Sequence, residues 1–387
     1  MKQYTYIIIG GGLTAHAAIK GIHSVNTKAA IAVISNESYK PYNRPPLSKA
    51  LWKGDPVDII WLSDEPKSVE YFLSRTVTEI NTREKQVTDS LGDVFTYNKL
   101  LLATGGRVRT LTSSTDEIIY FRTFDDYKML KEQAEKTDQP VLVIGGGFIG
   151  SEIAAALAMN GKKVRMIFPE TGIGSRVYPS GLSKFLNKYY KSKGVEVNAD
   201  EGIESVKKND SGYIAMTSKD REIKAGVIVA GLGLLPNSDL AQSAGLEVDN
   251  GIKVNEYLQT SDPDIFAAGD VANFFNQALG KRMRLEHEDN AITMGEIAGK
   301  NMTGSKEPYN HLPFFYSDLF ELGYEAVGEL DSRLETVEEW QDEFKEGVIY
   351  YLKDNVIRGV LLWNVWDRLD DARKLIINKS AYKKGLI

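Results

Sequence analysis

Two glycine-rich turns, each set between an apolar strand and a helix, constrain this chain more than any other feature. In TYIIIGGGLTAHAAIKGI the run Gly10-Gly11-Gly12-Leu13-Thr14-Ala15 fits G-x-G-x-x-G/A, and AAIAVIS follows as a second strand. From Pro140 the pattern recurs as PVLVIGGGFIGSEIAAALAMNGKKVRMIF, with Gly145-Gly146-Gly147-Phe148-Ile149-Gly150. The first glycine of such a turn permits the bend, and the second lets backbone amides approach a pyrophosphate. A small third residue, Ala15 or Gly150, lets the helix pack on the strand, and the helix N-terminus then faces the anion.

Each unit has an acid near the end of its second strand, Glu37 in one and Glu170 in the other. A carboxylate there accepts hydrogen bonds from ribose hydroxyls and repels a 2′-phosphate, so NADH is favoured over NADPH. Arg165 and Arg176 lie near enough to Glu170 to weaken that preference. Two dinucleotide folds in one chain suggest a bound flavin in one and a visiting nicotinamide in the other, because hydride transfer needs both rings held face to face.

At 387 residues, 42% of them hydrophobic and 26% charged, the chain is expected to divide into two or three domains. A formal net charge of −6 argues against a nucleic-acid groove as the main surface. The chain has no cysteine, which excludes a dithiol relay, a catalytic thiolate and cysteine-ligated zinc or iron-sulfur clusters. His16, His23, His287 and His311 are scattered without metal-ligand spacing, so no metal is expected. The start MKQYTYIII has no charged-then-apolar leader and no apolar run is long enough to span a bilayer; a cytoplasmic protein is expected.

KLLLATGG, GVIVAGLGLLPN and TSDPDIFAAGD each read as an apolar strand that stops at glycine, a place where ligands often sit. From about residue 306 the composition shifts toward antiparallel strands, with a hairpin expected to turn at Asp354-Asn355 and a short helix in DRLDDARKLIINK. The acidic run Glu335 to Glu346, placed in a loop, reads as a solvated rim, with a basic partner as the alternative.

The order of these motifs, with ATGG between the two units and FAAGD after them, resembles the two-dinucleotide-binding flavoprotein reductases over nearly the whole chain. The resemblance implies a glutathione-reductase-like α/β fold: an FAD domain of residues 1–115 and 245–305, an NAD(H) domain of 116–244 and a C-terminal α+β domain of 306–387. It places FAD on the first unit, with Gly10, Gly12, Ala15, Glu37, Ala103, Thr104 and Gly105 beside it and Asp270 on the ribityl chain. NADH falls to the second, with Gly145, Gly147, Phe148, Ile149 and Gly150. PYNRPPLSK looks like the signature of the branch that contains ferredoxin and rubredoxin reductases, monodehydroascorbate reductase and apoptosis-inducing factor. Arg44 and Lys49 would lie along the FAD, where a cation near the ring stabilises negative charge on the reduced flavin. The resemblance also implies that Glu152 pairs with Lys49 beneath the nicotinamide site.

Resemblance to the apoptosis-inducing factor family extends further, through IFPETGIGSR, LEHEDNA, YSDLFELGYEAVGELDS and GVLLWNVWDRLDDARKLI. It puts Val77 and Arg122 on FAD, Glu170, Arg176, Gly233 and Glu325 on NADH, and Glu286 and His287 at the flavin face, His287 with a catalytic role. The chain departs from that family at Glu288, where it has histidine, at Tyr316, where it has tryptophan over the flavin, and at Arg176, where it has lysine. Ferredoxin reductases tend to carry an aromatic residue where His287 stands.

Without cysteine, electrons must leave the flavin directly. The expected acceptor is a small carrier such as ferredoxin or rubredoxin. The alternatives are a quinone, oxygen or monodehydroascorbate, or a slow NADH-sensing role of the apoptosis-inducing-factor type. Either a monomer or a homodimer is compatible.

Overall fold

The computed structural model describes residues 2–63, 66, 68–112, 117–210 and 212–387. The expected boundary between residues 115 and 116 lies outside them. The chain gathers into two compact units, one of residues 1–43, 60–107 and 235–315, the other of 44–59, 108–234 and 316–387.

In the first unit, strand Lys2–Ile9 is central to a seven-stranded sheet, with Ile31–Ile34 and then Val69–Phe72 on one side and Val94–Leu102 on the other, all parallel. Ile265–Ala267 extends the parallel set beyond Leu100–Leu102, while Val77–Asn81 and Gln86–Asp89 join antiparallel. The central strands are nearly continuous Ile, Val and Leu because both faces are covered. Helix Leu13–Val25 leaves the first strand through the glycine turn and packs against helix Glu288–Met302. A Cβ on Gly21, Gly295 or Gly299 would overlap a carbonyl oxygen of the facing helix, so these glycines set how closely the helices approach.

The second unit repeats the plan. Strand Val141–Ile144 sits between Val164–Ile167, with Val195–Asn198 outside it, and Val227–Ala230, with Ile119–Tyr120 beyond, all parallel. Strands Ile203–Asn209, Gly212–Thr217 and Glu222–Ala225 form a small antiparallel sheet. A five-stranded antiparallel sheet closes the chain in the order Phe314–Leu319, Leu322–Gly328, Val356–Trp363, Glu346–Lys353, Glu335–Asp342. Its hairpin turns at Asp354 and Asn355, both with φ near +60° (53° and 61°), the left-handed pair that the sequence pattern called for. Leu369–Ile377 is the expected short helix. The acidic run is not a loop: Glu335–Asp342 is an edge strand paired along its length with the buried strand Glu346–Lys353. Charges suit an exposed sheet edge, because they oppose pairing with other chains.

Candidate functional site

In both units the glycine turn has the same geometry. Gly10 and Gly145 hold φ of +111° and +114°, and a Cβ on either would overlap the carbonyl oxygen of Ala103 or Gly231. Only glycine fits there. Gly12 and Gly147 cap the following helices without a side-chain hydrogen bond, and a Cβ on either would meet nothing within 4 Å. These open positions, next to uncapped helix amides, are where an anion approaches most closely. At the third position Ala15 is fully buried, and a Cβ on Gly150 would run into the Gly145 carbonyl.

The first unit assembles the rest of its set around this turn. Thr104 donates from Oγ1 to the Asn237 carbonyl at 2.8 Å, and Asn237 returns a bond from Nδ2 to the Thr104 carbonyl at 2.9 Å, fixing the turn through Gly105 (φ +61°). The Tyr42 hydroxyl donates to Glu37 Oε2 at 2.6 Å, and its ring packs on Tyr39 and Trp61. Asp270 lies in the short turn Gly269–Val271, where a Cβ on Gly269 (φ +76°) would overlap Thr14 of the glycine helix. Val77 is buried at the start of its strand, and Glu286 is ion-paired with Arg284 at 2.7 Å. His287 caps helix Glu288–Met302; burial pushes its imidazole down to about 4 against the opposing pull of Asp270 and Asp289.

The second unit brings Lys49 and Glu152 together, residues far apart in the chain. Pro45–Ser48 and Ala50–Trp52 are two short 3-10 turns, the prolines fixing φ at the first helical positions. Lys49 sits between them with its Nζ 2.7 Å from Glu152 Oε2, the side chains only 12% and 3% exposed. Its ammonium also lies 5.2 Å from the centre of the Tyr316 ring. Arg44 donates from Nη1 to the Arg122 carbonyl at 2.9 Å. Glu170 pairs with the exposed Arg176 at 2.6 Å, and Phe148 and Ile149 open the helix that Gly147 caps. Gly233 has φ +83°. Glu325 has a buried Oε2 without a hydrogen-bond partner among the described residues, and burial raises its carboxyl above the usual range.

Sequence reasoning missed three hydroxyls. Ser48 donates to Glu152 Oε2 and Ser317 to Glu152 Oε1, both at 2.6 Å, and Tyr42 holds Glu37. Ser48 carried a weak signal by adjoining Lys49. Ser317 carried none, since its partner lies 165 residues away.

Residues 4–295 match the family described as pyridine nucleotide-disulphide oxidoreductase. The chain belongs to that family. Residues 298–341 and 338–378 match the C-terminal region of apoptosis-inducing factor, mitochondrion-associated. Apoptosis-inducing factor 1, mitochondrial, of Dictyostelium discoideum is 36% identical over 98% of this chain and 80% of its own length. The ferredoxin–NAD(+) reductase component of the anthranilate 1,2-dioxygenase system of Burkholderia cepacia is 32% identical over 85% of this chain and 82% of its own. Putidaredoxin reductase, solved in covalent complex with putidaredoxin, superposes with a TM-score of 0.90 at 27% identity, covering 98% of this chain and 94% of that one.

This oxidoreductase family member uses FAD and NAD(H), and with no cysteine it has no redox-active disulphide despite the family's name. The residues present fit both cofactors: two equivalent cradles stay open at Gly12 and Gly147, and a carboxylate follows the second strand of each. Among the described residues, no group of three or more His, Asp or Glu side chains could hold a metal ion, and no helix is long and apolar enough to cross a membrane.

Proposed function

We propose that this chain oxidises NADH and delivers the electrons directly to a small one-electron carrier protein of ferredoxin or rubredoxin type, two carriers for each NADH. The observation that carries this reading is the buried Lys49–Glu152 pair in a chain with no cysteine. When bound, FAD supplies a two-electron acceptor for the nicotinamide hydride and a donor of single electrons to the carrier.

The chain's own residues bind, orient and neutralise. Gly10, Gly12 and Ala15 cradle the FAD pyrophosphate at the amide end of their helix, Glu37 accepts from the ribose and Asp270 from the ribityl chain. Ala103, Thr104 and Gly105 form the rigid turn that borders it, with Val77, Arg44 and Arg122 along its length and Glu286 and Tyr316 toward the ring. Gly145, Gly147, Phe148, Ile149 and Gly150 do the same for NADH. Glu170 and Arg176 meet its adenosine ribose, and Gly233 and Glu325 its nicotinamide end. Lys49 holds positive charge beside the flavin edge, and Glu152 keeps that ammonium in place while leaving the pair neutral overall. Burial holds the His287 imidazole below its ordinary range, so near pH 7 it presents a neutral polar ring. The same reading keeps the division into FAD, NAD(H) and C-terminal domains and the cytoplasmic location.

The carrier assignment draws on the relatives: one is a ferredoxin reductase component, and another was solved with putidaredoxin. A second reading, a slow NADH sensor, is favoured by the match of residues 298–378 to the C-terminal region of apoptosis-inducing factor. Anaerobic stopped-flow reduction by NADH, followed by mixing with ferredoxin, a quinone or oxygen, separates them. Fast reoxidation by ferredoxin supports the carrier reading. A long-wavelength absorbance that resists every acceptor, with an NADH-dependent change of oligomeric state, replaces it with the sensor.

A further inference from the structure

Glu152 points a carboxylate into the protein interior, and its own side chain does not fix how that group is turned. The last torsion of a glutamate is broad and nearly two-fold, so the carboxylate plane is set by whatever donates to its two oxygens. Lys49 alone would leave it free to pivot about a single contact. In this chain Oε2 accepts from both Lys49 Nζ (2.7 Å) and Ser48 Oγ (2.6 Å), while Oε1 accepts from Ser317 Oγ (2.6 Å). Three donors from two distant segments therefore define the plane.

The geometry of strand Phe314–Leu319 makes this a two-sided clamp. Successive side chains point to opposite faces, so buried Ser317 meets Glu152 while its neighbours Tyr316 and Asp318 face the other way. Tyr316 lies under the Lys49 ammonium, and Asp318 accepts from Lys53 at 2.8 Å. One strand thus grips the residue 48–53 segment at three points: through Glu152, through the Tyr316 ring and through Lys53. The ionisable groups that face Glu152 from neighbouring elements are Lys49 and the buried phenols Tyr178, Tyr190 and Tyr324. Burial pushes all three phenols up, so they stay neutral, and among the described residues the charge that faces Glu152 is that of Lys49.

We propose that Ser317, assisted by Ser48, is a positioning residue for the NADH-oxidising site: it locks the Glu152 carboxylate and thereby holds the Lys49 ammonium at one point. The proposal rests on the reading that Lys49 lies beside the flavin. Ser317 acts through Glu152, so its hydroxyl, and not its bulk, is what matters. An Ala at this position leaves Oε1 of a buried carboxylate without a donor, and the carboxylate and ammonium then find a second arrangement.

The test compares holoprotein carrying Ser317→Ala, Ser317→Thr, Ser48→Ala and Lys49→Met. Two readouts are used: the visible absorption maxima of the oxidised flavin without NADH, and the limiting rate of anaerobic reduction against the apparent Kd for NADH. In Ser317→Ala the limiting rate is expected to fall about tenfold with little change in Kd, the scale of one hydrogen bond to a charged group. Its flavin maxima move part of the way toward those of Lys49→Met, Ser48→Ala behaves similarly but more weakly, and Ser317→Thr restores both properties. If Ser317→Ala keeps wild-type maxima and rate while Lys49→Met alters both, the positioning role is overturned and the Lys49 reading stands. If Thr fails to rescue, the effect is one of packing and the proposal is likewise overturned. If Lys49→Met leaves both readouts unchanged, the underlying reading of Lys49 has failed. Should Ser317→Ala not fold, Ser48→Ala and Ser317→Thr decide the matter by the same criteria.

Discussion

The imidazole of His287 lies flat on the ring of Phe315, with centroids 4.3 Å apart and planes 10° from parallel. Burial pushes the imidazole down from 6.5 to about 4, against the pull of Asp270 and Asp289. The unfolded chain therefore binds a proton between those two values that the folded chain refuses, so stability is lost as pH falls from 6.5 toward 4. Thermal unfolding of the wild type should show a pH-dependent drop in that window, and His287→Gln should flatten it. An unchanged slope in the variant would assign the drop to other groups.

Gly10 and Gly12 of the first turn should fail in different ways. Gly10→Ala forces a side chain into a left-handed conformation and against the Ala103 carbonyl, with backbone strain alone costing about 1–3 kcal/mol; a poorly folding protein is expected. Gly12→Ala meets open space at a φ of −95° and should fold with a near-normal Tm while retaining much less FAD. Tm and flavin-to-protein absorbance ratio, measured together, check both. A Gly12→Ala protein that keeps full flavin would show that nothing needs that space.

Cofactor choice should turn on Glu170. Its partner Arg176 is exposed, while Arg165 is engaged by Glu196 at 2.7 Å. Glu170→Ala releases Arg176 to meet a 2′-phosphate, and the ratio of kcat/KM for NADPH over NADH should rise about tenfold, the scale of one charged hydrogen bond. Adding Arg176→Ala should cancel the gain. If the double variant keeps it, another cation is responsible.

Glu325 presents a different trade. Burial disfavours the ionised Glu325 carboxyl, a cost that a neutral side chain of the same shape avoids, so Glu325→Gln should raise Tm, by roughly 1–4 °C. The same change should weaken NADH binding in titrations if the empty acceptor is kept for the nicotinamide carboxamide. A more stable protein with unaltered NADH affinity would separate the strain from the ligand.

What could be read from the residues follows from how local each signal is. The glycine turns, the strands that stop at glycine and the Asp354-Asn355 hairpin were legible because their backbone needs are met by adjacent residues. The strand Glu335–Asp342 was not, because its hydrophobic support comes from its partner Glu346–Lys353, and its own charges mimic a solvated loop. The Lys49–Glu152 pair was anticipated only through family likeness. Ser317 was invisible for a related reason: a serine in a strand has no distinctive pattern until the fold brings a carboxylate to it.

The two ribose-facing acids differ in what holds them. Glu37 is tied to a buried, aromatically packed phenol, Tyr42, whereas Glu170 is tied to a guanidinium that is 82% exposed. A surface ion pair of the second kind contributes little and is screened by salt, while the first is insulated from both. On the proposed assignment, the chain separates a residence time of many catalytic cycles from one that must end with each cycle. Ionic strength should then set how fast the nicotinamide exchanges without loosening the flavin.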